Sequence, residues 1–119
     1  MKYKSKNYFI DGFKAETLAK KYSTPLYCYS LKKLRDNVNK FRKSFKSINP
    51  IICFAVKANS NKALIREIGR LGLGADVVSM GELMKAIKSG IKANKIVFSG
   101  VGKTEDELKY AIKKKYFIN

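Results

Sequence analysis

The 119-residue sequence contains no histidine, only two cysteines, and nine acidic residues against 26 lysines and arginines. Each shortage removes a class of function. Cys28 and Cys53 lie in separate apolar stretches, LYCYS and IICFAV, with no CxxC motif. Neither metal nor redox chemistry is indicated, and both thiols read as small buried hydrophobes of strands. No apolar run approaches the roughly 20 residues that cross a bilayer, and the opening MKYKSKNYFIDGF lacks the apolar segment of a signal peptide. The expected location is the cytoplasm, with no membrane partner.

The scarcity of acids leaves a formal charge of +17. Such a balance raises nucleic-acid binding, and a small basic nucleic-acid-binding protein is the alternative of a different class. Only Arg35, Arg42, Arg66 and Arg70 supply guanidinium groups, however, and the lysines are scattered over every expected helix. Arginine gives the bidentate and stacking contacts that phosphates and bases favour, so dispersed lysine reads as a solvated surface and no nucleic-acid partner is expected. The missing acids can also reside on a part of the protein outside this chain. With 45% hydrophobic and 29% charged residues, the composition is that of a folded domain.

What is present is punctuated regularly. Asp11-Gly12 between two aromatic runs predicts a hairpin over residues 8–13. A short amphipathic helix over 17–22 stops before Pro25. Residues 26–29 read as a strand, and Ser30 as the N-cap of a helix carrying Leu31, Leu34, Val38, Phe41 and Phe45. Strands are then expected over 51–57, 75–79, 95–99 and from 116. Between them fall helices over 62–71 with Asn61 as N-cap, 82–89 ended by Gly90, and 105–114 with Thr104 as N-cap and acids in its first turn. Strand ends recur about every 20 residues, and strands apolar throughout are buried on both faces. The pattern is α/β, a parallel sheet with right-handed crossovers, and a (β/α)8 TIM barrel leads. A closed barrel needs about 250 residues and eight strands, so the barrel is incomplete in this chain and a fragment is expected.

In parallel α/β structures, functional groups gather at the C-terminal ends of strands. Lys57 occupies such an end, after Phe54, Ala55 and Val56. An apolar wall there would favour the neutral amine, although a lysine that merely extends into solvent explains the position as well. Asp76, in GADVVS, is the second charged group in an apolar element and a candidate partner for that amine. Glu82 opens the next helix, where a dipole role serves equally. Gly72, Gly74, Gly81, Gly100 and Gly102 punctuate the loops, but neither a dinucleotide fingerprint nor a phosphate loop is present.

Three segments, FAVKANSN at 54–61, GLGADVVSMGEL at 72–83 and IVFSGVGKTEDEL at 96–108, resemble successive blocks of the diaminopimelate decarboxylases. YSTPLYCYS at 22–30 is similar to the segment that leads into their first barrel strand. The resemblance implies a fold-type III enzyme of the alanine racemase-like, group IV decarboxylase kind. Its parts would be an N-terminal barrel followed by a β-domain, with pyridoxal 5'-phosphate (PLP) as cofactor and a small amino acid as substrate. It implies that residues 1–25 lead into the barrel and that 26–119 form its first part. By the same resemblance Lys57 is the residue that holds PLP as a Schiff base, while Ala55, Asp76 and Glu82 match positions near the cofactor. The full-length parent is then a homodimer. Ornithine, arginine and carboxynorspermidine decarboxylases are the nearest alternatives. A ring-stacking histidine, a glycine-rich phosphate site, an acid that bonds the pyridine nitrogen and a partner-subunit cysteine, which the family uses, would all lie beyond residue 119.

Overall fold

The structure, a computed structural model, describes residues 2–119. Two compact units divide the chain between Ile48 and Asn49. The first opens with a three-stranded antiparallel meander: β1 (Lys2–Lys4), β2 (Asn7–Ile10) and β3 (Phe13–Lys14). Asp11 and Gly12 form the β2–β3 turn with φ of 49° and 91°, the left-handed pair that a two-residue hairpin turn demands and that Asp-Gly supplies at little cost. The turn between β1 and β2 carries no such signal in KSKN, and β1 was not expected.

Helix α1 (Ala15–Tyr22) starts two residues before its expected position and ends at Ser23, whose φ of 66° breaks helical geometry. Helix α2 (Leu31–Ser44) is capped by Ser30, whose Oγ accepts the amide N–H of Lys33 at 2.9 Å. Asp11 adds a second cap from the hairpin. Its Oδ1 accepts the Ser30 hydroxyl at 2.5 Å and its Oδ2 the Lys32 amide at 3.3 Å. The Ser30 bond is the main reason the Asp11 carboxyl titrates below the ordinary carboxylate range.

The strand expected over residues 26–29 does not form. The segment is extended but pairs with neither sheet, and Leu26, Tyr27 and Tyr29 are exposed. Its apolar residues gave the right backbone extension. A strand, however, exists through its ladder, and no neighbour supplies one here.

The second unit is a four-stranded parallel sheet in the order β4 (Cys53–Ala55), β5 (Gly74–Val77), β6 (Ile96–Phe98) and β7 (Phe117–Ile118). Helices α3 (Lys62–Arg70), α4 (Met80–Lys88) and α5 (Glu105–Lys113) connect successive strands. One face of the sheet is dry: Ala75, Val77, Ile96 and Phe98 have no exposed surface. Beneath it lie the apolar stripes of the helices, with Ile65 and Ile68 from α3, Leu83 and Ala86 from α4, and Ala111 from α5 buried. Burial of a single such aliphatic side chain contributes about 1.5–3 kcal/mol, so this face is where the unit is held together.

Every expected strand of this unit exists but is shorter than expected. The ladder of β4 begins where the Ile52 carbonyl accepts the Gly74 N–H at 2.8 Å. Its continuation folds into a 3-10 turn, Val56–Ala58, closed by the Asn59 N–H on the Val56 carbonyl. Among the described residues β4 pairs with β5 alone, and its ladder ends at Ala55. Gly74 marks the tightest approach in the sheet: a Cβ there would collide with the Lys95 carbonyl oxygen and the Cys53 sulfur. Gly74→Ala is therefore expected to cost about 1–3 kcal/mol by overpacking, read as a lowered urea midpoint with unchanged slope.

Candidate functional site

The second sheet face differs in chemistry from the first. The parallel register places Ala55, Asp76, Val97 and Phe117 in one row across the four strands, with Cys53 and Gly74 in the row before it. Asp76 is the one carboxylate of these two rows. Its Oδ1 is buried and meets no hydrogen-bond partner among the described residues. A buried acceptor left unmade costs about 1–3 kcal/mol, so a carboxylate oxygen retained there is a group awaiting a donor. Cys53 stands nearby with a free thiol, pushed up in pKa first by burial and then by the charge of Asp76. That shift opposes a nucleophilic role and agrees with the packing role expected for it.

Lys57 sits in the middle of the 3-10 turn that follows β4, two residues beyond the Ala55 position in the row. It is not the terminal strand residue that the sequence suggested. The turn packs against β5 and α4. Contrary to the expected desolvation, the Lys57 side chain is exposed. Four strands cannot enclose a strand end, and any wall that dehydrates this amine must come from other strands. Among the described residues no ion pair joins Lys57 to Asp76. The loop after the turn is built by its own side chains: Asn59 Oδ1 accepts the Asn61 N–H at 3.0 Å, and Asn61 Oδ1 caps α3 at Ala63 N, 2.9 Å away. Lys85 of α4 reaches the same loop and donates to Ser60 Oγ at 3.1 Å.

Glu82 does not open α4 as expected, because the helix starts at Met80 with Ser79 as N-cap. Ser79 Oγ accepts the Glu82 N–H at 3.3 Å, and Glu82 Oε2 accepts the Val78 N–H at 2.9 Å. One oxygen of Glu82 is thus committed to the corner between β5 and α4. At the next corner Thr104 and Glu107 form a capping box on α5, and Glu107 Oε1 also accepts the Met80 N–H at 3.0 Å. Sequence reasoning missed Ser79 and read Glu107 only as an acid of the first turn, though the signal was present: S-M-G-E and T-E-D-E both have capping-box spacing.

The backbone N–H groups of Thr104 and Met80, in that order, hold the Glu107 carboxyl below its ordinary value of 4.5. A depressed folded-state pKa contributes stability that is present above the unfolded value and is lost as pH falls through the folded one. Acid titration of the melting temperature below about pH 4.5 is therefore expected to converge for wild type and Glu107→Gln, with wild type the more stable above it.

A parallel sheet whose successive strands are joined by helices, with a lysine and a carboxylate toward the C-terminal side of adjacent strands, is the arrangement of part of a βα barrel. Residues 31–117 match the family described as pyridoxal-dependent decarboxylase, pyridoxal binding domain, and the chain belongs to that family. It is 45% identical over 112 residues to the diaminopimelate decarboxylase of Aquifex aeolicus, spanning 94% of this chain and 26% of that protein. The Vibrio cholerae diaminopimelate decarboxylase is 48% identical over 98 residues, or 82% of this chain and 24% of that one. The crystal structure of diaminopimelate decarboxylase from M. jannaschii in co-complex with L-lysine superposes with a TM-score of 0.93 at 39% identity, covering 99% of this chain and 29% of that one. The chain thus spans about a quarter of the length of these relatives and corresponds to part of their N-terminal barrel region.

Family membership implies PLP, and the residues present fit it. Asp76 has an unpartnered buried oxygen suited to a cationic or N–H group, its register partner Ala55 carries a small side chain, and Lys57 presents a primary amine in the turn just beyond.

Proposed function

We propose that the full-length protein decarboxylates meso-2,6-diaminopimelate to L-lysine, using PLP bound covalently through Lys57 Nζ. The observation that carries this reading is the 45% identity to a diaminopimelate decarboxylase across 94% of the chain, which includes the segment bearing Lys57. Residues 1–25 lead into the barrel in this reading, and 26–119 form the first part of the PLP-binding barrel.

PLP supplies an electron sink for the pair left on the substrate Cα when carbon dioxide departs. The chain's own groups orient, charge-balance and move protons. Lys57, in the turn after β4, would hold the cofactor through its amine and would be the group placed to move a proton. Asp76 supplies negative charge in a partly dry row, where it holds a cation more firmly than in water. Ala55 keeps the space beside it flat. Glu82, already bonded to Val78 N, acts through the corner it braces while leaving its second oxygen free. The family resemblance also supports a cytoplasmic homodimer.

The test uses the full-length protein. Borohydride reduction in the presence of PLP should place the pyridoxyl label on Lys57, and turnover of meso-diaminopimelate should release carbon dioxide and L-lysine. A label elsewhere ends the reading, and a preference for ornithine or arginine moves it to another decarboxylase of the same fold.

A further inference from the structure

Three side chains link successive corners at the C-terminal ends of the strands. Lys85 reaches from α4 back to Ser60. Lys103 Nζ donates to the carbonyls of Gly100 and Asn119, beyond β6 and β7 respectively. Glu107 is different in kind, because both of its oxygens are committed and they serve different helices. Oε2 accepts from Thr104 N at 2.8 Å and from Thr104 Oγ1 at 3.1 Å, which completes the cap of α5. Oε1 is not needed for that cap, yet it accepts the Met80 N–H, the first residue of α4.

We propose that Glu107 is a positioning residue for the cofactor site, holding the corner of residues 78–80 that carries Asp76 on its strand side and Glu82 on its helix side. The inference rests on the function proposed above. Packing holds this corner only lightly, since Ser79 is exposed and Val78, which borders Gly100, is 38% exposed. Hydrogen bonds fix it instead: Glu82 Oε2 on Val78 N, Ser79 Oγ on Glu82 N, and Glu107 Oε1 on Met80 N. Of these side-chain bonds only the last reaches a different βα unit, where it adds to the backbone bond from the Ser99 N–H to the Val77 carbonyl at 2.8 Å. Without it the helix side of the corner, beyond Val78, has no side-chain tie to the next unit among the described residues. A binding constellation must be held to about 0.5 Å, and loss of such outer support typically weakens binding 10–100-fold.

The test separates support of the corner from capping of α5. Glu107→Gln leaves one acceptor oxygen where two backbone N–H groups, of Thr104 and Met80, must be accepted. Met80→Pro deletes the donor at the first helical position, where proline is well tolerated and where Ser79 before it already has extended backbone, φ −152° and ψ 160°. Thr104→Ala removes the α5 cap hydroxyl and leaves the Met80 bond. In the full-length protein, E107Q and M80P are each expected to raise the PLP dissociation constant about tenfold and to alter the visible circular dichroism of bound PLP, with the double variant no worse than either single one. T104A should lower the melting temperature and leave both cofactor readouts unchanged. Wild-type PLP affinity in both E107Q and M80P would overturn the proposal, as would an equal loss in T104A. Failure of wild type itself to take PLP on Lys57 would instead defeat the function on which the proposal rests.

Discussion

Replacing Lys57 with alanine in the full-length protein is expected to lower decarboxylation by at least about a thousandfold, roughly 4 kcal/mol of transition-state stabilisation, while leaving the fold intact. The side chain is exposed and lies outside the buried face of the sheet, so the substitution removes no core contact. Stability should stay within about 0.5 kcal/mol of wild type, as for surface changes generally. Lys57→Arg sharpens the test. Arginine keeps the positive charge but stays protonated and cannot attack an aldehyde carbon. If Lys57 acted only as a counter-charge to Asp76, arginine would preserve most activity; a covalent role predicts that both variants fail alike and that neither is labelled by borohydride. Unchanged turnover in either variant would remove Lys57 from the site.

The sequence made the βα alternation legible because each boundary carried its own chemistry. Asn61 and Thr104 cap the helices for which they were expected, and Gly90 ends α4 with a φ of 87°. Asp11-Gly12 forms the expected turn. Failures fall where structure depends on a distant partner. Residues 26–29 have strand composition without a ladder. Lys57 lies in a 3-10 turn closed by the Asn59 N–H on the Val56 carbonyl, which no local pattern reveals. Met80 and Gly81 obscure the start of α4, although Glu82 at capping-box distance points back to Ser79. The site was legible as a list and not as an arrangement. The register that puts Ala55 beside Asp76 and the link from Glu107 to Met80 are both contacts between neighbouring βα units.

Phe98→Ala is expected to be the most damaging substitution in the core, at about 3–5 kcal/mol, against a total stability of about 5–15 kcal/mol for a typical domain. Phe98 has no exposed surface and heads the fully buried side chains in size. It shares its register with Val77 and Ile118, so it sits on the central strand of three. Its position at the end of β6 adds a second consequence. The Phe98 carbonyl accepts the Asn119 N–H at 3.1 Å, the next residue, Ser99, donates to the Val77 carbonyl at 2.8 Å, and the Lys103 amine lies 5.6 Å from the ring centroid. A cavity under this residue therefore loosens the corner after β6 as well as the core. Phe98→Leu keeps most of the volume and should cost less than about 1.5 kcal/mol. Urea midpoints for the two variants should differ accordingly, and equal losses would mean that ring shape, not cavity volume, sets the stability of this face.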